Sequence, residues 1–321
     1  MIGDVLGYRA RWLRNLPART ALKLCNQRQI RKILGKRHDD ALREHVRKLP
    51  KIGSLDATIV EALNRDGIFM TSIDKLALPD GEKIFETGAM LAEAFKPEAR
   101  ARAAGGDAFI ILPPDVIVRY PDIFHWGLQD RLLDIAETYI GLPPAYDGVV
   151  LNYTVADGRE VSTRKWHRDW EDRRMLKVAV YLNDVDAVGG PFQMVRRHDS
   201  MQSDIEGFDY SLSDDQELER RLGTISAQDV VSCEGPAGTV IFTDTARFFH
   251  RGKPATGRDR AAIFYSYFAR RPRHPFLCER TGMKRSDIVR LSNGLPHRQR
   301  ETALWRQELS PALRIIPPAT L

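Results

Sequence analysis

His167 and Asp169 stand two residues apart in the run Trp166-His167-Arg168-Asp169-Trp170. On an extended strand, side chains two apart leave the same face, so one imidazole and one carboxylate converge at one point. Holding a metal facially takes a third ligand. The best candidate is His250, in the stretch 238–252 (GTVIFTDTARFFHRG), which reads as a strand entering a turn. Two histidines and one carboxylate with open positions form the ligand set of non-haem Fe(II) oxygenases, where a co-substrate and O₂ meet on the metal. Ten residues after His250, Arg260 heads the apolar strand Ala261–Phe268. A buried arginine is costly there unless it meets an anion, and its planar fork suits a carboxylate. The two features support each other: a metal to chelate a keto acid, and an arginine to hold its far carboxylate. Arg258 is the rival for that role, but the step into an apolar strand favours Arg260.

These residues need a rigid frame. The short β-type runs Val149–Val155, Leu176–Leu182, Phe192–Val195, Thr239–Thr243 and Ala261–Phe268 are mostly separated by Gly-Gly, Gly-Pro and Asp-Gly turns, which argues for a sandwich or barrel. The first half reads as helical. Residues 1–49 form helices punctuated by Pro17 and Gly35, and 54–66 a short helix with Ser54 as N-cap and Gly67 as stop. A further helix spans 82–104, interrupted at Pro97, and another runs from Asp122 to Ile140. The polar, acidic insert 199–229 reads as a long loop with some helix, and a short helix lies near 301–309. The expected organisation is a basic helical arm (1–51), a helical support region (52–145), a β core (146–270) carrying the insert, and a basic extension (271–321).

Composition narrows the function classes. The chain has 321 residues, 43% hydrophobic and 29% charged, which excludes a mostly disordered chain, and no run of 18 apolar residues offers a transmembrane helix. Three widely spaced cysteines (Cys25, Cys233, Cys278) fit a reducing cytoplasm. The net charge of +6 is unevenly spread: residues 1–51 hold 14 Lys and Arg against 4 Asp and Glu, and 269–321 hold 11 against 4, so the middle is acidic. No nucleic-acid-binding module is recognisable. Val5, Tyr8, Trp12 and Leu16 recur at helical spacing between arginines, a pattern that can pack on its own domain or lie on an anionic membrane.

At the chemistry-bearing residues the sequence resembles the phytanoyl-CoA dioxygenase branch of the Fe(II)/2-oxoglutarate-dependent oxygenases. The matching pieces are Trp166-His167-Arg168-Asp169, the run from Leu176 to Val185, the Gly190-Pro191-Phe192 segment, the strand before His250, and Arg260. They fall within roughly 146–270. The resemblance implies an α+β protein with a double-stranded β-helix (jelly-roll) core and flanking helices. It implies His167, Asp169 and His250 as metal ligands and Arg260 on the distal carboxylate of 2-oxoglutarate. Thr243 is a further candidate for that carboxylate, and Asn152 for the cofactor site. The implied cofactors are Fe(II), 2-oxoglutarate and O₂. The implied reaction hydroxylates an unactivated C–H bond of a small molecule, anionic or lipid-like, with release of succinate and CO₂. Related halogenases lack the carboxylate ligand, so Asp169 favours hydroxylation. One departure is Arg197-His198-Asp199-Ser200, where the family often has Gly-Ser-His; the role of His198 stays open. Two alternatives stand beside this reading: a jelly-roll that binds a ligand or partner without catalysis, and a metal-dependent enzyme that does not use 2-oxoglutarate.

Overall fold

The computed structural model describes residues 2–196 and 210–319, with side chains from residue 13 onward. His198 and residues 199–209 of the acidic insert therefore lie outside the described residues, as do the side chains of Val5, Tyr8 and Trp12. Two long helices open the chain, α1 (Ile2–Cys25) and α2 (Arg28–His45). The breaks expected at Pro17 and Gly35 do not occur. The carbonyl that Pro17 cannot serve belongs to Leu13, which is exposed and can be hydrated. A Cβ at Gly35 would meet nothing within 4 Å, so only the modest helix-propensity cost of glycine applies.

Next come α3 (Ser54–Asp66), β1 (Ile68–Ser72), α4 (Ile73–Leu76) and α5 (Gly81–Ala104). Gly53, not Ser54, occupies the N-cap of α3, and no side chain caps it. Helix α5 runs through Pro97, because the carbonyl left without a donor is that of the exposed Glu93. The helix expected from Asp122 to Ile140 is two, α7 (Pro121–Trp126) and α8 (Asp130–Ile140), preceded by α6 (Pro114–Arg119). Gly67 ends α3 at φ +74°, and a Cβ there would fall 2.4 Å from the Phe248 ring. Glycine is required on both counts.

The remaining strands are β2 (Pro144–Thr154), β3 (Leu176–Tyr181), β4 (Phe192–Val195), β5 (Val230–Cys233), β6 (Thr239–Asp244), β7 (His250–Gly252) and β8 (Arg260–Ala269). All pair antiparallel, in a five-stranded sheet ordered β1-β6-β3-β8-β2 and a three-stranded sheet ordered β5-β4-β7. From β2 onward the chain shuttles between the sheets. β3, β6 and β8 join the larger sheet; the bridge at His167, β4, β5 and β7 belong to the smaller side. This is the double-stranded β-helix, an α+β architecture with helices on the outer face of the larger sheet. Helix α9 (Asp215–Leu222) lies in the insert ahead of β5, as expected there, and the chain closes with α10 (Arg285–Leu291), α11 (His297–Ala303) and α12 (Pro311–Arg314). The tail helix expected at 301–309 is divided between α11 and a 3₁₀ turn, Trp305–Glu308. Among the described residues no helix is long and apolar enough to cross a membrane.

The period-2 alternation of the strands sorts every residue to one of two faces. Leu176, Val178 and Val180 of β3, and Ile263, Tyr265 and Tyr267 of β8, pack against the helices in the main apolar core. Ala179, Tyr181 and Ala262 face the other way, into a second cluster between the sheets with Phe192 and Met194. By the same parity Lys177, Asn152, Thr154 and Arg260 point into the barrel. Polar residues in an apolar strand are thereby collected on one interior surface.

Candidate metal centre

His167 is not on a regular strand. It makes a two-residue antiparallel bridge with His250, His167 N–H to His250 O at 3.0 Å and His250 N–H to His167 O at 2.9 Å. This register places the two rings side by side, with centroids 4.3 Å apart. Asp169 is turned toward them because its N–H is fixed on the carbonyl of Thr245 at 2.8 Å. One ligand atom from each of His167, Asp169 and His250 lies within 4.8 Å of the others. Nδ1 of His167 faces the Lys165 carbonyl at 2.8 Å, and Nδ1 of His250 the Phe248 carbonyl at 3.2 Å. Each ring is thus held in the tautomer that leaves Nε2 bare for a metal.

Electrostatics favour the ligating protonation states. Burial pushes both imidazoles below the ordinary histidine range, His250 further because His167 also opposes its charging. Burial alone would raise Asp169, but Lys177, His250 and His167 together outweigh it and hold the carboxylate ionised. Lys177 Nζ lies 2.5 Å from Asp169 Oδ2. Neutral imidazoles beside an ionised carboxylate, with one side open on a cavity, fit divalent iron by donor type and number.

The cavity is about 800 Å³, lined by all three of these residues together with Lys177, Asn152, Thr154 and Arg260. Arg260 is 5% exposed; its guanidinium donates to the Gly190 carbonyl and, at 3.1 Å, to the Thr154 hydroxyl. Its rival Arg258 is on the surface, paired with Asp186 at 3.3 Å. Asn152 lines the cavity but is tied to the protein, donating to the Ile110 carbonyl at 3.1 Å and accepting from Thr154. Thr243 does not line the cavity. It faces the barrel interior opposite Lys177 in the strand register, but its hydroxyl is directed at Met194 Sδ, 3.8 Å away. The Met194 side chain thus takes the place expected for an anion.

Three charged residues on the cavity wall were not anticipated from the sequence. Lys177 carried a signal, a lone lysine at an inward position of an otherwise apolar strand. Arg164 and Arg280 carried none, since only the folded chain brings them to the cavity wall. His45 of α2 is half-buried against Glu137, with Nε2 2.8 Å from its carboxylate.

No protein-family model and no curated protein sequence matches the chain. Solved structures are similar at low identity. EctD from S. alaskensis with bound Fe is 22% identical over 67% of this chain and 76% of that one, with a TM-score of 0.42. EctD with 2-oxoglutarate and 5-hydroxyectoine is 21% identical over 66% and 76%, with a TM-score of 0.43. The epimerase SnoN in complex with Fe³⁺, alpha ketoglutarate and nogalamycin RO is 14% identical over 76% and 91%, with a TM-score of 0.42. At these identities the chemistry of this chain rests on its own residues.

Proposed function

We propose that the chain is an Fe(II)- and 2-oxoglutarate-dependent dioxygenase of the phytanoyl-CoA dioxygenase type. The observation that carries the reading is the convergence of His167, Asp169 and His250 on one cavity that also holds the buried Arg260. Bound there, iron and the keto acid would supply O₂ activation, one oxygen atom going to succinate as CO₂ is lost and the other to a substrate C–H bond. The protein's own residues do the rest. His167 and His250 present neutral nitrogens, Lys177 orients Asp169, and Arg260 with Thr154 holds the distal carboxylate. No side chain is needed as a general base. Trp170 and Tyr210, with ring centroids 4.0 Å apart, wall the site and keep water from it.

The same reading extends to the substrate. The cavity is far larger than a keto acid needs, and Phe109, Ile111, Phe264 and Ile315 give it apolar walls. Arg14, Arg280 and Arg314, from the two basic ends, line it as well. We therefore assign a small amphipathic molecule bearing an anionic group as substrate, and the basic ends as its electrostatic contact. Three free cysteines fit a cytoplasmic setting.

The test is an anaerobic optical titration of metal-free protein with Fe(II) and then 2-oxoglutarate. A visible charge-transfer band is expected in the wild type, absent in His167→Ala and weakened in Arg260→Ala. Iron binding without a band on adding 2-oxoglutarate would remove the keto acid from the reading and leave a metal-dependent enzyme of another kind.

A further inference from the structure

A second buried guanidinium lines the cavity, and metal binding does not account for it. Arg164 ends the short 3₁₀ turn Ser162–Arg164 and is 4% exposed. Its Nη1 donates to the Asp157 carboxylate and, at 3.2 Å, to the Arg159 carbonyl. Its Nη2 is buried with no hydrogen-bond partner among the described residues. Arg260 Nε is in the same condition.

The two arginines flank one strand. The turn carrying Arg164 packs on β7. The Arg260 guanidinium lies against Gly252 of β7, where a Cβ would fall 2.8 Å from Nη2. Burial lowers the basicity of Arg260; Tyr181 beside it acts the other way, and Arg164 adds to the lowering. Asp157 is shared between Arg159 and Arg164, so it cannot neutralise both buried cations at the cavity. Excess positive charge in a low-dielectric site is expensive, and so are N–H groups without acceptors. One anion between the guanidiniums removes both costs. A carboxylate suits the place, with two coplanar oxygens that can each meet one fork.

We propose that Arg164 and Arg260 form a paired-arginine subsite for the distal carboxylate of a 2-oxo dicarboxylic acid, with Arg164 selecting the diacid over a 2-oxo monoacid. The ligand's identity rests on the dioxygenase reading above; the anion site does not. Arg164 is a positioning residue that acts on the end of the co-substrate remote from the metal.

Two measurements test it. In anaerobic titrations of the Fe(II)-loaded protein, Arg164→Gln is expected to weaken 2-oxoglutarate by about tenfold or more, the loss for one charge-assisted hydrogen bond. The same change should leave 2-oxopentanoate, which lacks the distal carboxylate, unaltered, and Arg164→Lys should recover part of the loss. Equal weakening of both acids would mean a general disturbance of the site and overturn the proposal, as would no change in either. In calorimetry on metal-free protein, glutarate should bind the wild type and not Arg164→Gln. Glutarate binding with no 2-oxoglutarate band would sink the dioxygenase reading while the anion site stands. A band in the wild type with Arg164→Gln indistinguishable in both assays would sink the subsite alone.

Discussion

At the residue scale the centre is built by hydrogen bonds made away from the metal. Lys165 and Phe248 carbonyls set the imidazole tautomers, and Lys177 takes one oxygen of Asp169. Such supports typically matter by about 10- to 100-fold in metal affinity. Lys177→Met should weaken Fe(II) or Co(II) binding by that order while His167→Ala abolishes it, as read by competition with a chelator. The pH dependence follows from the depressed imidazoles. A proton competes with the metal only below the folded pKa, which lies under the ordinary 6.5, so wild-type affinity should stay flat as pH falls to about 6.5. Metal affinity reads this more cleanly than stability does. Between the folded pKa and 6.5 the unfolded histidines bind protons that the folded ones do not, so these two rings destabilise the metal-free fold as pH falls. Asp147 and Asp172, both raised to about 6 by burial, act oppositely: their contribution is present at low pH and lost as pH rises through 6.

At the element scale, what matters is how the turn from β6 to β7 delivers His250. Asp244, fully buried at the end of β6, accepts from the N–H groups of Ala246 and Arg247 at 3.0 Å each and from Arg247 Nε at 2.7 Å. The Tyr139 hydroxyl of α8 donates to the same carboxylate. This knot fixes the stretch whose Thr245 carbonyl holds Asp169 and whose end is His250. Asp244→Ala strands Arg247 without its partner, and removing one member of a buried pair costs about 3–5 kcal/mol. The variant should unfold at correspondingly lower denaturant and bind metal poorly even where folded. The long strands β2, β3, β6 and β8 were legible because their apolar runs are bounded by turns, and His167, Asp169, His250 and Arg260 because their types and spacing are unusual together. The short strands β1, β5 and β7 were not: β7 is three residues without alternation, and it exists only because His167 and β4 offer it partners. Pro17 and Pro97 misled for a related reason, since a proline stops a helix only where the orphaned carbonyl is denied water. Thr243 failed because parity gives the face of a strand but not what already occupies the space in front of it.

At the scale of the whole molecule the charge asymmetry acquires a place. Part of it is spent on the acidic middle, with Arg298 reaching Asp134 at 2.7 Å and Glu137 at 2.8 Å. Arg280 stacks over the Trp170 ring at 4.3 Å, and its backbone N–H donates to the Asp147 carboxylate at 3.0 Å. Trp170 touches Tyr210, and Tyr210 in turn faces His167 with ring centroids 6.4 Å apart. An aromatic wall therefore leads from the metal ligands to the Arg280 guanidinium on the cavity wall, while Arg260 and Arg164 serve the other end. A substrate whose apolar part lies along that wall would place its anionic group on Arg280. Decanoate and decanol separate this from simple greasiness. The wild type should bind the acid about tenfold more tightly than the alcohol, an advantage of about 1.4 kcal/mol. That margin should shrink as salt rises, disappear in Arg280→Gln and return in part in Arg280→Lys. Equal affinity for acid and alcohol in the wild type would put the substrate's anion elsewhere, and would leave the basic ends with no role beyond docking on the acidic core.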